Sequence, residues 1–144
     1  GNGLSGYMHE FKITPRNTAL MTLSHRVRVK TRNVLEGAFQ EVDIRTGRVL
    51  FEWHSVGHVP LTESYYHLPR NPDKTYDYFH INTIEVDRDG NYLVSARNTH
   101  TIYKIDRRTG NIIWRLGGKR SDFELAGAWP SAGSTTSADR RTGR

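Results

Sequence analysis

Asp77-Tyr78-Phe79-His80-Ile81-Asn82 sets an imidazole and a carboxamide two residues apart at the head of a strong hairpin pattern. Residues i and i+2 of a strand share a face, so His80 and Asn82 are expected to be presented together. Both side chains donate hydrogen bonds, and side by side they suit an anionic or polar ligand better than an apolar core. The apolar-rich runs 83–88 and 91–97 flank Asp89-Gly90, which predicts a two-residue turn, because such turns need positive φ at their central residues. That turn pairs Arg88 with Asn91, Val86 with Leu93, Ile84 with Ser95 and Asn82 with Arg97. A guanidinium is thereby brought beside His80 and Asn82 from the second strand. The chemistry open to such a trio is the gripping of a tetrahedral anion, for which Arg97 supplies a planar fork of donors. The competing role is structural, a histidine and an amide bonded to backbone between sheets. Three polar groups at one strand head are costly to bury without partners, and Arg97 shifts the balance toward a ligand.

The elements that must position these residues read as all-β. Phe39-Gln40-Glu41-Val42-Asp43-Ile44-Arg45-Thr46-Gly47-Arg48-Val49-Leu50-Phe51-Glu52-Trp53 repeats in Ile102-Tyr103-Lys104-Ile105-Asp106-Arg107-Arg108-Thr109-Gly110-Asn111-Ile112-Ile113-Trp114-Arg115-Leu116. Each copy is strand, Asp-x-x-Thr-Gly turn, strand: the Asp side chain accepts from turn amides and Gly supplies the left-handed residue. A repeated β unit points to a propeller. The second unit, 78–118, predicts four strands near 80–87, 91–97, 100–106 and 112–116, the size of one propeller blade. The first, 7–53, predicts strands near 8–13, 18–24, 38–43 and 48–53 with an irregular stretch before residue 36. A long connection, 54–77, joins them, and a connection of that length is usually functional or disordered. The expected fold is therefore a partial β-propeller over 1–125, about two four-stranded antiparallel blades of a larger propeller. An irregular tail, small and polar, fills 126–144. Unclosed sheet edges are expected to be able to pair with other chains.

Composition bounds the rest. The 144 residues make one ordinary domain, 35% hydrophobic and 25% charged. There is no cysteine, so no disulfide framework and no thiolate metal site. No apolar run is long enough to span a bilayer. Glycine stands first and no leader pattern is visible, so the chain is expected to be processed or a piece of something longer. The net charge of +6 favours anionic partners in general, but the basic residues are scattered and match no nucleic-acid module. Gly1-Asn2-Gly3-Leu4-Ser5-Gly6 fits a dinucleotide fingerprint by letter only, without the strand before it or the helix after it. Gly117-Gly118-Lys119 lacks the earlier glycine and helix of a phosphate loop. The seven histidines form no metal signature; His54 and His58 are four apart, but in a loop context. Trp53 and Trp114, at similar places in the two units, are expected to pack the blades.

Several stretches resemble the arylsulfotransferase family: 77–83, 89–97, Thr99-His100-Thr101-Ile102-Tyr103-Lys104-Ile105-Asp106, Thr109-Gly110 and Trp114-Arg115-Leu116-Gly117-Gly118-Lys119. Upstream, His9-Glu10-Phe11, Gln40-Glu41-Val42-Asp43 and Val49-Leu50-Phe51-Glu52-Trp53 fit too. The resemblance covers roughly residues 7–125. It implies a propeller of about six blades. It further implies transfer of a sulfuryl group from a phenolic sulfate ester to another phenol, through a histidine intermediate and without a cofactor. The implied partners are a small aryl sulfate and a phenolic acceptor, and the implied compartment is periplasmic or secreted. By motif, His80 and Asn82 match the family's His-x-Asn element and Arg97 its following arginine; His9 matches a histidine of the preceding blade. The family's nucleophile lies in a later Gln-His-containing segment, which nothing after Phe123 matches. The chain is thus expected to carry the sulfate-holding half of the site and to be inactive alone. The rival expectation is a non-catalytic propeller module that binds an anion, a glycan or a protein.

Overall fold

A computed structural model describes residue 4 and residues 10–124 of the chain. His9 and the tail 126–144, both singled out above, lie outside the described residues. Among the described residues nine strands form two sheets, antiparallel throughout but for the short β5, and the only helical element is one 3₁₀ turn, Leu61–Glu63. The first sheet runs β1 (Phe11–Ile13), β2 (Thr18–Val29), β3 (Arg32–Asp43), β4 (Val49–His54), with β5 (Tyr76–Asp77) added in parallel to β3 beyond the end of β4. The second is a meander of β6 (Ile81–Val86), β7 (Tyr92–Ala96), β8 (Thr101–Ile105) and β9 (Ile112–Gly117). The all-β, two-sheet expectation holds, and no helix among the described residues is long and apolar enough to cross a membrane.

The repeated turns form as their sequences dictate. Asp43 Oδ1 accepts from the Thr46 amide at 2.8 Å and Asp106 Oδ1 from the Thr109 amide at 2.8 Å. Gly47 and Gly110 close the turns at φ 70° and 76°. These local hydrogen bonds favour the ionised carboxylates and hold both aspartates below their ordinary pKa.

Two expectations are corrected. The irregular stretch between residues 24 and 36 is regular strand: β2 and β3 pair without a break from Thr18↔Asp43 to Val29↔Arg32. Exposed Arg26 and Arg28 alternate there with half-buried Val27 and Val29, the period of a half-covered strand. The Asp89-Gly90 hairpin is shifted by one residue, with Val86 opposite Tyr92 and Ile84 opposite Val94. Asp87 is the cause. Its Oδ1 accepts from the Asp89 and Asn91 amides, both at 2.9 Å, and builds a three-residue loop in which Gly90 takes φ 85°.

The sheets meet through aromatic side chains. Phe39 stacks on Trp53 (5.6 Å between centroids) and meets Tyr92 edge-on at 4.9 Å, while Phe79 lies 5.8 Å from Trp53 and 5.3 Å from Tyr103. Trp53 is buried as expected and donates its indole N–H to the Gly110 carbonyl of the opposite unit at 3.0 Å. Trp114 is only half-buried, edge-on to Phe123. Gly37 allows the close approach: a Cβ there would stand 2.6 Å from Phe79 Cδ1 and 2.8 Å from Ile81 Cγ1. Both neighbours are buried and cannot swing away. Gly37→Ala is therefore expected to destabilise the chain by about 1–3 kcal/mol, read from the urea midpoint.

One carboxylate is sealed into this interface. Glu41 is 1% exposed and accepts from Thr18 Oγ1 at 2.6 Å, from the Tyr92 hydroxyl, and from Arg16 Nη2 at 3.1 Å. Burial pushes its pKa up, but these donors outweigh burial and hold it below the ordinary value of 4.5. The unfolded chain thus takes up the proton first on acidification. The stabilisation is fully present above pH 4.5 and is lost as pH falls through the lower folded value. The stability gap between wild type and Glu41→Gln is expected to be flat above pH 5 and to shrink below about pH 4.5, followed by urea unfolding across pH.

Candidate functional site

The sequence-predicted trio is brought to the same end of the second sheet, but not by simple alternation. β6 begins at Ile81, and His80 precedes it with φ 54°, a left-handed conformation uncommon outside glycine. Buried Tyr78 and Phe79 on one side and Ile81 on the other fix the chain through this residue. The His80 carbonyl accepts from the Arg97 amide at 2.8 Å, and the Phe79 carbonyl from the Asn98 amide at 3.1 Å. Asn82 sits at an irregularity of the ladder, between the pairs Ile81↔Ala96 and Thr83↔Ser95. The expected Asn82–Arg97 strand pair is thus replaced by a His80–Arg97 backbone contact.

The bulge still brings Asn82 and Arg97 together. Both line one pocket of about 450 Å³, with Ser95, His100, Ile102 and Leu116 among the other walls. Ser95, Ile102 and Leu116 lie in register across β7, β8 and β9. They point away from the face that carries Val94 and Tyr103 into the core, so the pocket opens on the face of the second sheet turned away from the first. Among the described residues, Arg97 is the permanent charge in the lining, and no carboxylate is among the lining residues. His80 is not part of that lining. Its ring is oriented instead by Asp77, with Nδ1 2.8 Å from Oδ2.

His100 is a lining residue that sequence reasoning passed over as a site candidate. It stands in the β7–β8 turn at φ 52°, and its ring stacks on Tyr65 at 4.5 Å with 13° between planes. Lys119 lies over the same tyrosine, 5.0 Å from its centroid. The one signal in the sequence was a histidine in a short polar turn, a residue type that tolerates the left-handed region better than most.

Tyr65 belongs to the long connection, which is clamped to the second sheet beside the pocket. Its amide donates to the Asn98 carbonyl at 2.7 Å, and Asn98 Nδ2 donates to the Asp77 carbonyl at 2.6 Å. Lys119 donates to the Thr62 and Ser64 carbonyls at 3.1 and 2.6 Å. The anchor is Glu63, 2% exposed, which meets Arg115 Nη2 at 3.2 Å, Arg120 at 3.6 Å and the Tyr103 hydroxyl at 3.0 Å. Burial, with the Glu63 charge beside it, raises the Tyr103 pKa to about 12, so that hydroxyl remains a donor.

A separate polar group lies on the first sheet. His25 Nδ1 and His54 Nδ1 approach one oxygen of Glu36 at 3.0 and 2.8 Å, and His54 Nε2 lies 3.0 Å from Glu52. Both carboxylates come from strand positions, Glu36 on β3 and Glu52 on β4. His58 instead packs on Trp53 at 5.1 Å, with Nδ1 2.7 Å from the His54 carbonyl.

Fold and pocket together define an all-β protein of two blade-like sheets, with a pocket on the second whose described lining carries Arg97 and no carboxylate. The chain belongs to the arylsulfotransferase (ASST) family, whose sequence model matches residues 5–131. No curated protein gives a significant match to the chain.

The clamp makes a direct prediction. Arg115→Met leaves the Glu63 charge buried with only the Tyr103 hydroxyl and the more distant Arg120. The expected loss is about 3 kcal/mol in urea unfolding, with faster proteolytic cutting between residues 64 and 75.

Proposed function

We propose that the chain binds an aryl sulfate through its sulfuryl oxygens and takes part in sulfuryl transfer to a phenol. The observation that carries this reading is the meeting of Asn82 and Arg97 in one pocket with no carboxylate among its described lining residues. Arg97 presents two parallel N–H donors to two oxygens of the group and Asn82 adds a third donor. His80, oriented by Asp77, and His9 are the further donors on this reading. In transfer, the S–O bond to the aryl group breaks and the phenolate departs with its electron pair. An imidazole nucleophile takes the sulfuryl group, and a second phenol then takes it from that nitrogen. Negative charge is spread over the three equatorial oxygens along this path, and preorganised donors stabilise it. On this reading the described residues hold the group rather than attack it.

Binding without turnover is the second reading, and one observation favours it. The one imidazole in the pocket lining, His100, is engaged face to face with Tyr65.

The test is titration of 4-nitrophenyl sulfate into the chain, followed by amide NMR shifts, alongside release of nitrophenolate with phenol as acceptor. Arg97→Ala is expected to weaken binding at least about tenfold, the loss of a charge-assisted hydrogen-bond pair. Arg97→Lys is expected to recover only part of it. Shifts that miss residues 82 and 95–102, or affinity unchanged in Arg97→Ala, would remove the proposal. Binding without phenol-dependent nitrophenolate release would select the second reading.

A further inference from the structure

We propose that His25, Glu36 and His54 form a binding site for one divalent transition-metal ion of the zinc class, on the first sheet and independent of the sulfuryl-transfer reading. The three residues come from three adjacent strands. His25 on β2 lies opposite Glu36 on β3, and His54 ends β4 opposite Ala38, two positions along the same face. Strands fix ligand positions more closely than loops do. One ligand atom from each of the three lies within 4.8 Å of the other two. Both Nδ1 atoms already converge on Glu36 Oε1, at 3.0 and 2.8 Å.

The ligand types and spacing fit the ion. Two imidazole nitrogens and one carboxylate oxygen are a common donor set for zinc, with a fourth position left to solvent. Ligands at about 2.0–2.1 Å from a tetrahedral ion stand roughly 3.3–3.4 Å apart. The two histidine nitrogens must therefore draw back from Glu36 by about half an ångström, within reach of small side-chain rotations. An approach from solvent is open, since the side chains of His25 and His54 are 39% and 32% exposed while that of Glu36 is 4% exposed.

The surrounding groups are those a metal site needs. His54 Nε2 lies 3.0 Å from Glu52 Oε1, the arrangement in which an outer carboxylate orients a ligating histidine and raises its basicity. Gln40 Nε2 donates to the other oxygen of Glu52. The second oxygen of Glu36 takes the Val56 amide at 3.3 Å, which leaves Oε1 directed at the histidines. A simple hydrogen-bonded histidine–glutamate ladder is the competing explanation, and it predicts no selective ion binding.

Zinc chloride titrated calorimetrically into the untagged chain is expected to bind at about one ion per chain. His25→Ala and His54→Gln are each expected to weaken binding at least about tenfold. Glu52→Gln, which touches no ion, is expected to weaken it by about tenfold or more while keeping the stoichiometry. Cobalt in place of zinc should give the visible absorption of a tetrahedral ion, lost in His25→Ala. His25 is partly exposed, so this variant is expected to keep the wild-type circular dichroism spectrum and stays decisive even if changes at His54 disturb folding. Absence of saturable binding at about 1 mM zinc, or affinity unchanged in a folded His25→Ala, would overturn the assignment.

Discussion

The contact between the two sheets is the constraint on which the other features rest. Neither sheet has an inner face it can leave in water, and Phe39, Trp53, Phe79, Tyr92 and Tyr103 are buried by packing that joins the two sheets. Such aromatic pairs contribute about 0.5–1.5 kcal/mol each beyond the area they bury. Two fully buried polar links help fix how the sheets meet. The Trp53 indole donates to the Gly110 carbonyl, and Glu41 of the first sheet accepts from Tyr92 of the second. An apolar interface tolerates sliding; a buried carboxylate with named donors does not, because any other register leaves it desolvated and short of partners.

That fixed interface reaches the pocket through Phe79. Its ring is locked between Trp53 and Tyr103, and the next residue, His80, must take a left-handed turn to enter β6. A non-glycine residue there costs free energy of order 1–2 kcal/mol. The cost is offset where the neighbours over-determine the backbone, here by the Arg97 and Asn98 amides and by the Asp77 carboxylate. The result is that Arg97 and Asn82 are placed by the core rather than by the hairpin turn alone.

What the sequence revealed follows the range of the interaction responsible. The paired Asp-x-x-Thr-Gly turns, the four-stranded second unit and the buried Trp53 are set by contacts within a few residues or by strong apolar patterning, and were legible. The length of β2 and β3 was not, although Arg26-Val27-Arg28-Val29 alternates correctly, because the Lys30-Thr31 connection has no glycine or asparagine to announce a hairpin and Lys30 adopts φ 53° regardless. The hairpin register was missed by one residue because the Asp87 side chain, not Gly90 alone, builds the loop. The sequence suggests His80, Asn82 and Arg97 as a group; Asn82 and Arg97 line one pocket while His80 lies outside that lining, and neither the bulge nor the left-handed residue that arranges them was legible. His25, Glu36 and His54 share no local pattern, and only the β2–β3–β4 register unites them.

The two polar regions differ in sign, and their settings account for the difference. At the pocket Arg97 is the charged residue among the described lining residues, while Asp77 is engaged with His80, and Glu63 with Arg115 and Arg120. Around His25 and His54 the order is reversed. There the carboxylates of Glu36 and Glu52 face the imidazoles of His25 and His54. An anion offered to the first sheet meets two carboxylates, and a cation offered to the pocket meets a guanidinium. On the two proposed readings, each sheet would disfavour the ligand suited to the other by a repulsive element as well as by the lack of an attractive one.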